Sequence, residues 1–259
     1  MPFTRYVALG DSTTEGLDDP DGAGGYRGWA DRLAERLAIG QRTPIAYANL
    51  AVRGRTAREI REEQLEPALA LAPELATVVA GMNDLLGFNY DARAVAAEVG
   101  TIQRALGAVG CHVVTVTIPD LSHRLAVGPF SRLLSTRTRA LNAALRDVTR
   151  QAGAQLVDLG AFELARDPRL WSRDRLHLNA EGHARNAAAL AHALEIPGSD
   201  EHWRSQFPAE PPPTLAARLA EDLAWGRDFF IPWAWRRLRG KTLGDGRSAK
   251  LPAYVTISR

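Results

Sequence analysis

Five short apolar runs, each followed by a helical pattern, constrain the fold of this chain more than any other feature. The runs are nearly continuous in apolar and β-branched residues, which is typical of parallel strands covered on both faces. Because strand–helix alternation gives right-handed crossovers, it predicts an α/β fold: a three-layer α/β/α sandwich with a central parallel sheet of about five strands. The predicted strands are residues 5–10, 45–50, 75–80, 112–118 and 155–159.

Amphipathic patterns between these runs predict the helices that cover the sheet. In the first of them, Trp29, Leu33 and Leu37 fall on one stripe, as a core-facing helix requires. Residues 120–131, which combine apolar residues with glycine and proline, are interpreted as a long loop that could wall a pocket. The predicted helices are residues 29–38, 55–65, 92–109, 135–152 and 180–194.

The chain divides near Ile196 into two parts of different composition. Residues 1–196 hold all five strand–helix units and are predicted to form one domain. Residues 197–259 are predicted to form a proline-rich linker, a C-terminal helix at 215–228 and a basic tail, packed on the domain. Between residues 236 and 250 stand six basic residues and one acidic residue, a net charge of +5.

Two hypotheses describe the aromatic and basic tail. In the first, the tail is a strap whose aromatic residues pack on the body while the arginines stay in solvent. In the second, it is a surface anchor that places the aromatic residues at a lipid interface and the basic cluster near anionic headgroups. We favour the strap, and peripheral membrane contact through the basic tail is the less favoured alternative. The aromatic residues are Phe229, Phe230, Trp233 and Trp235.

The composition excludes several classes of protein. The chain has 259 residues, of which 46% are hydrophobic, and its net charge of +2 is too small to predict a nucleic-acid partner. The single cysteine, Cys111, excludes an internal disulfide. No apolar run approaches the ~20 residues that span a bilayer. The first residues lack the pattern of a signal peptide, so we expect a cytoplasmic protein.

Short polar motifs follow four of the predicted strands. Ser12 follows the first strand, Gly54 the second and Asn83 the third, and Asp174 and His177 lie in a loop beyond the fifth. Taken singly, each motif has a plain structural interpretation, such as a helix-capping serine or an asparagine that ties down its own loop. Because the carboxyl ends of parallel strands meet at one edge of the sheet, we expect the motifs to converge.

The residue types in these motifs fit acyl transfer. A serine at the sheet edge is a candidate nucleophile, and a histidine oriented by an aspartate three residues earlier is a candidate base. A glycine N–H and an asparagine amide are candidate donors to an oxyanion. Asp158, at the end of the fifth strand, is a rival for the acid, although Asp174 has the better local spacing.

Taken together, the motifs resemble the SGNH hydrolases, also called the GDSL-like lipase/acylhydrolase family, whose blocks carry Ser, Gly, Asn and His. Ser12 in GDS matches the first block, Gly54 in NLAVRG the second, Asn83 in GMND the third and His177 in DRLH the fifth. Thr13 stands where the GDSL motif has leucine. The resemblance covers about residues 5–195.

The resemblance implies a flavodoxin-like SGNH hydrolase fold and a serine esterase or acylhydrolase that cleaves a carboxylic ester. Ser12, His177 and Asp174 would form the catalytic triad through an acyl-enzyme. The backbone N–H groups of Ser12 and Gly54 and the amide of Asn83 would form the oxyanion hole. No metal site and no cofactor are implied. The expected partner is a small-molecule, short-chain acyl ester. Leu86 and Phe88, which follow Asn83 closely, are the candidate apolar substrate contacts, and the alternative is that they pack on the body.

Two other functions remain open at this point. An acyltransferase would use the same triad and pass the acyl group to an alcohol instead of water. A non-catalytic flavodoxin-like domain would cradle a phosphate or nucleotide in the loop GDSTTEG, but this leaves GMND and DRLH without a role. The sequence leaves acyl chain length, the alcohol moiety and the oligomeric state undetermined.

Overall fold

A single mixed sheet organises the chain, in a computed structural model that describes residues 2–87, 89–125 and 128–258. In the described part of the chain its strands are β1 (Arg5–Gly10), β2 (Ile45–Asn49), β3 (Leu75–Val79), β4 (His112–Val116), β5 (Gln155–Val157) and β6 (Leu251–Ile257). The strand order is β5–β4–β3–β1–β2–β6. The first five strands are parallel, and β6 runs antiparallel to β2.

The two faces of the sheet carry separate cores. Val7 and Leu9 of β1 belong to one buried cluster, whereas Tyr6 and Ala8 belong to the other. This alternation follows from the two-residue period of a strand. The prediction of a three-layer sandwich with a central parallel sheet is therefore confirmed. The helices are α1 (Ser12–Glu15), α2 (Gly28–Gln41), α3 (Ala57–Ala70), α4 (Met82–Leu85), α5 (Ala92–Ala108), α6 (Ser122–Leu125), α7 (Gly128–Ala152), α8 (Ala180–Ala193), α9 (Leu215–Trp225) and α10 (Ile231–Leu238).

Side-chain caps fix where the helices begin after the strands. The Asp11 carboxylate accepts from Thr13 N at the start of α1, and Thr56 forms a capping box with Glu59 at the start of α3. Asn179 accepts from Gly182 N and so begins α8. Such caps satisfy N–H groups that have no partner inside the helix. Each strand-to-helix turn therefore ends at a defined residue near the carboxyl edge of the sheet.

The C-terminal part contains structure that the sequence pattern did not indicate. The sequence analysis placed no strand there, yet β6 pairs with β2 in the register Ile45 to Ile257. The predicted helix at 215–228 is α9, continued by a π-helical turn at Gly226–Phe230 and by α10. The prediction of one loop over residues 120–131 is also wrong, because α6 lies within it and α7 begins at Gly128.

The helices of the described chain were also compared with the length and hydropathy of a membrane span. Within residues 2–87, 89–125 and 128–258, no helix is both long enough and apolar enough to cross a bilayer.

Candidate active site

Ser12 lies at the turn between the central strand β1 and the short helix α1. The turn is held from behind by Gln64 of α3, whose side chain accepts from Gly10 N and donates to Gly10 O, both at 2.9 Å. A β-carbon on Gly10 would lie 2.8 Å from Val79 O, so no larger residue fits this position. Ser12 itself is 8% exposed. The sequence analysis did not single out Gln64, because nothing local distinguishes a buried glutamine on a helix.

The imidazole of His177 joins Ser12 to Asp174. The distance from His177 Nε2 to Ser12 Oγ is 2.7 Å, and Nδ1 of the same ring is hydrogen-bonded to Asp174 Oδ2. The other carboxylate oxygen, Asp174 Oδ1, accepts from His177 N at 3.0 Å and from Ser172 Oγ at 2.6 Å. The structure therefore brings together three residues that the sequence analysis selected from positions up to 165 residues apart.

The electrostatics of the pair favour a charged imidazole. Burial acts to lower the pKa of His177, but the hydrogen bond and the charge of Asp174 outweigh it, so the pKa of His177 is raised above its ordinary value. Burial acts to raise the pKa of Asp174, yet the bonds from His177 and Ser172 hold it well below its ordinary value. Asp174 thus stays ionised and stabilises a proton on the ring.

Gly54 lies in the loop after β2 with φ of 80°, a left-handed conformation that favours glycine. The loop is held by Glu15, which accepts from Arg53 N at 3.0 Å and pairs with the Arg53 guanidinium. Among the residues that the structure describes, neither Ser12 N nor Gly54 N donates a hydrogen bond. Within the described part of the chain, both backbone N–H groups are therefore without a protein acceptor.

Asn83 lies in the first turn of α4 with its amide directed at two acceptors. Its Nδ2 donates to Asp11 Oδ2 and to Arg55 O, each at 3.0 Å. Burial raises the pKa of Asp11 to about 6, against the opposing effect of Thr13 N–H. Both amide hydrogens are therefore engaged, and a third acceptor would have to displace one of these partners.

The remaining candidates of the sequence analysis have different positions. Leu86 is the residue directly after α4, caps its C-terminus and is half-buried. Phe88 lies outside the described residues. Asp158, the rival acid, binds Arg146 and accepts from Thr117 Oγ1 at 2.6 Å. Its carboxylate is therefore engaged away from His177.

His183 shows what a structural histidine looks like in the same fold. Its Nδ1 accepts from Trp29 N at 3.1 Å, and its Nε2 donates to Leu17 O at 2.9 Å. Burial lowers the pKa of His183 to about 4. A neutral imidazole with both nitrogens satisfied ties α8 to α2 and takes no part in the candidate site.

Two features of the site were missed by sequence reasoning. The first is Asp18, whose φ is 66°. One carboxylate oxygen of Asp18, one of Asp174 and one ring nitrogen of His177 all lie within 4.8 Å of one another. Since both ring nitrogens of His177 are already hydrogen-bonded, this group has the organisation of a triad and not of a metal site. Asp18 adds a negative charge near the ring, which also acts to raise the pKa of His177.

The second is an apolar cavity of about 90 Å³ beside the triad. Its wall includes sequence neighbours of three site residues: Thr13 next to Ser12, Met82 next to Asn83 and Leu176 next to His177. No local signal identifies this cavity, because the residues that complete its wall come from distant loops. They include Ile118, Pro119, Leu164, Leu170 and Trp171.

A serine, a histidine and an aspartate in one hydrogen-bonded chain, at the carboxyl edge of a parallel sheet, are the arrangement found in α/β serine hydrolases. Comparison with protein families identifies the family of this chain. Residues 8–185 match the GDSL-like Lipase/Acylhydrolase family, and the chain belongs to this family. It is therefore an ester-bond hydrolase of the GDSL type. A search of curated proteins finds no match.

Solved structures with the same fold are distant in sequence. The psychrotrophic esterase EstA from Pseudoalteromonas sp. is 14% identical, with a TM-score of 0.59, over 74% of this chain and 97% of EstA. A variant of Axe2, an acetyl xylan esterase from Geobacillus stearothermophilus, is 16% identical, with a TM-score of 0.58, over 75% and 95%. TesA is 19% identical, with a TM-score of 0.61, over 74% and 98%. At these identities the likeness shows the fold alone.

Proposed function

We propose that the chain is a serine esterase that cleaves short-chain or small-molecule carboxylic esters through an acyl-enzyme. The observation that carries this proposal is the contact of 2.7 Å between Ser12 Oγ and His177 Nε2, with Asp174 on the far side of the ring. This contact places the proton acceptor within reach of the hydroxyl, which is the first requirement for a general base.

The first half-reaction follows from this geometry. Ser12 Oγ attacks the ester carbonyl carbon while its proton passes to His177 Nε2. Asp174 holds the ring by Nδ1–H and stabilises the imidazolium that results. The tetrahedral intermediate collapses as the C–O bond to the alcohol breaks, and His177 returns the proton to the departing alkoxide. The acyl group remains as an ester on Ser12.

The second half-reaction uses the same groups with water. His177 takes a proton from water, whose oxygen attacks the acyl carbonyl. The second tetrahedral intermediate collapses as the bond between the acyl carbon and Ser12 Oγ breaks, and His177 returns the proton to Ser12 Oγ, which releases the acid and restores the hydroxyl. Each oxyanion would accept from Ser12 N–H and Gly54 N–H. The Asn83 amide would give a third hydrogen bond after leaving Asp11 or Arg55 O. Donors of this kind typically contribute about 3–4 kcal/mol each.

The cavity beside the triad offers an apolar environment for an acyl group. Thr13, Met82 and Leu176 link its wall to the three site loops. An acyl chain that enters this cavity from Ser12 would contact apolar side chains, among them Leu164, Leu170 and Trp171.

Labelling with a fluorophosphonate probe tests the nucleophile, and peptide mapping identifies the labelled residue. We expect one labelled peptide that contains Ser12, no label in Ser12→Ala, and full label in the control Ser199→Ala. Label on another serine, or none on a folded chain, would refute the assignment. A series of p-nitrophenyl esters from acetate to decanoate then tests the acyl length, and the proposal of a short-chain substrate requires kcat/KM to be highest among the shorter esters.

A further inference from the structure

The C-terminal helix, defined as Leu215–Leu238, contacts the loop that holds the candidate base. Trp225 Nε1 donates to Asp174 O at 2.8 Å. Asp222 pairs with Arg175 at 2.7 Å, and the Arg175 guanidinium stacks over the Trp225 ring at 5.0 Å. The helix is therefore fixed to one side of the site by a hydrogen bond, an ion pair and a cation–π contact.

The far end of the same segment lies at the oxyanion side. A β-carbon on Gly87 would lie 3.3 Å from Arg237 Nη2, and one on Gly54 would lie 3.0 Å from Thr242 Cβ. Gly244 is buried and packs on Arg53 O so closely that a β-carbon there would be 1.9 Å away. Residues 225–244 thus run from the His177 loop to the loops of Asn83 and Gly54.

The outward face of the C-terminal helix carries exposed apolar residues in both α9 and α10, with the exposed Arg227 in the π-helical turn between them. Its apolar residues recur every three or four positions, as on one face of a helix. The exception is the step of eight residues from Leu223 to Ile231, which spans two helical turns of about seven residues plus the one extra residue of the π-helical turn. One face therefore runs through α9 and α10. Its residues and their exposed fractions are Leu215 (74%), Leu219 (54%), Leu223 (76%), Ile231 (61%), Trp235 (57%) and Leu238 (74%).

Positive charge is concentrated at the end of this face. Residues 236–250 carry a net charge of +5, whereas the whole chain carries +2, so the rest of the chain is net negative. Arg239 and Lys241 are exposed, and the Arg239 guanidinium lies 4.4 Å from the centre of the Trp235 ring. An apolar helix face with tryptophan and flanking arginines has the composition of helices that lie in a lipid interface. The exposure of Phe230 (46%) and Trp235 (57%) contradicts the strap favoured from the sequence, in which both would pack on the body.

We propose that the outward face of the C-terminal helix docks on an anionic phospholipid surface and holds the active site against it. Charge decides between this occupant and a second copy of the chain, because two such cationic faces would repel each other while anionic headgroups attract them. The statement that an active site faces the lipid rests on the proposed function, but the docking itself does not.

Co-sedimentation with vesicles tests the docking. The full chain is mixed with vesicles of phosphatidylcholine alone or with 30% phosphatidylglycerol, at low and at high salt. We expect binding to the anionic vesicles only, weakened by salt. Arg239→Gln/Lys241→Gln should lower the partition coefficient about thirtyfold, since each cation near such a surface contributes about fivefold. Leu219→Ser/Ile231→Ser should lower it at least tenfold.

Matched variants on other surfaces provide the control. Arg36→Gln/Arg93→Gln and Ile39→Ser/Val109→Ser make the same chemical changes at exposed positions elsewhere and should bind like the parent chain. Circular dichroism and Tm establish that each variant is folded. The proposal is wrong if the parent chain does not bind anionic vesicles, or if it binds neutral vesicles equally well. It is also wrong if the control variants lose as much vesicle binding as the variants of the C-terminal helix and its basic end. A dimer that depends on Leu219 and Ile231, without vesicle binding, would assign the face to a second copy.

Activity separates this proposal from the proposed function. All four double variants should hydrolyse soluble p-nitrophenyl acetate at the parent rate, because none alters the candidate site. If the parent chain binds anionic vesicles but has no esterase activity, the docking stands and the proposed function fails. If it hydrolyses esters but binds no vesicles, the opposite holds.

Discussion

Large apolar residues are mostly buried in the body of the fold, residues 2–196, whereas many are exposed in the C-terminal segment, residues 197–258. In the body, the strands of the parallel sheet are buried on both faces, and Ser12 and His177 are 8% and 7% exposed. In residues 197–258, seven large apolar side chains of the C-terminal helix are exposed to solvent. The body supplies every candidate for the chemistry, whereas the C-terminal segment touches the loops of those candidates from outside.

The two proposed roles, ester hydrolysis in the body and lipid docking by the C-terminal helix, follow this difference. A triad must be held to within a fraction of an ångström, which a dense core and short loops can do. A helix that docks on a lipid surface, as proposed for the C-terminal helix, needs an exposed apolar face and few contacts with the body. We therefore expect changes in the body to alter the chemistry by orders of magnitude, and changes in the C-terminal segment to alter mainly stability or location.

The largest effect is expected from the triad acid. Asp174→Asn should lower kcat about 10⁴-fold, because the ring loses the carboxylate that fixes its tautomer and stabilises the imidazolium. Asp158→Asn is the matched control, since Asp158 binds Arg146 and Thr117 instead. It should retain kcat within a few-fold. Steady-state hydrolysis of a short p-nitrophenyl ester measures both. Equal losses in the two variants would contradict the assignment of Asp174.

The second largest effect on kcat is expected from Asn83. This residue belongs to the body, and the loop that follows it is contacted by Arg237 of the C-terminal segment. Asn83→Ala should lower kcat about 10²- to 10³-fold with little change in KM, the usual effect of removing one oxyanion donor. Tm should fall only modestly, since two hydrogen bonds of the side chain are lost. Full kcat in the folded variant would leave Asn83 as a tie between Asp11 and Arg55 and nothing more.

The pH dependence of the reaction sharpens the role of His177. The ring must be neutral to accept the Ser12 proton, and its pKa is raised above the ordinary value. The acid limb of kcat/KM should therefore lie above the ordinary histidine pKa, with activity falling about tenfold per pH unit below it. In Asp174→Asn the limb should move to lower pH, because the raising charge is gone. An unmoved limb would assign it to another group.

The smallest effect tests the contact between the two regions. Gly54 and Gly198 have φ of 80° and 84°, so alanine is strained at both, by about 1–2 kcal/mol. Only at Gly54 would the new β-carbon meet the C-terminal segment, 3.0 Å from Thr242 Cβ, whereas at Gly198 it meets nothing within 4 Å. Thermal unfolding should show a larger loss of stability for Gly54→Ala. Equal losses of stability in the two variants would mean that the C-terminal segment does not pack tightly against the Gly54 loop.

Much of the fold followed from the sequence because its signals are local. Continuous apolar runs at 5–10 and 75–80 predicted β1 and β3 to within a residue, and helical periodicity predicted α5 and α8 equally closely. The motifs around Ser12, Gly54, Asn83 and His177 could be placed at one edge because parallel strands end at the same side of a sheet.

The rest required tertiary structure, because it depends on contacts between residues far apart in the chain. The pairing of β6 with β2, the clasp of Gln64 on Gly10 and the cavity beside the triad have no local signature. Nor could sequence show that Trp225 meets Asp174 while Leu223 faces solvent, since burial of a helix face depends on what lies opposite. The sequence determined which groups are available for the chemistry, and the fold alone determined what surrounds them.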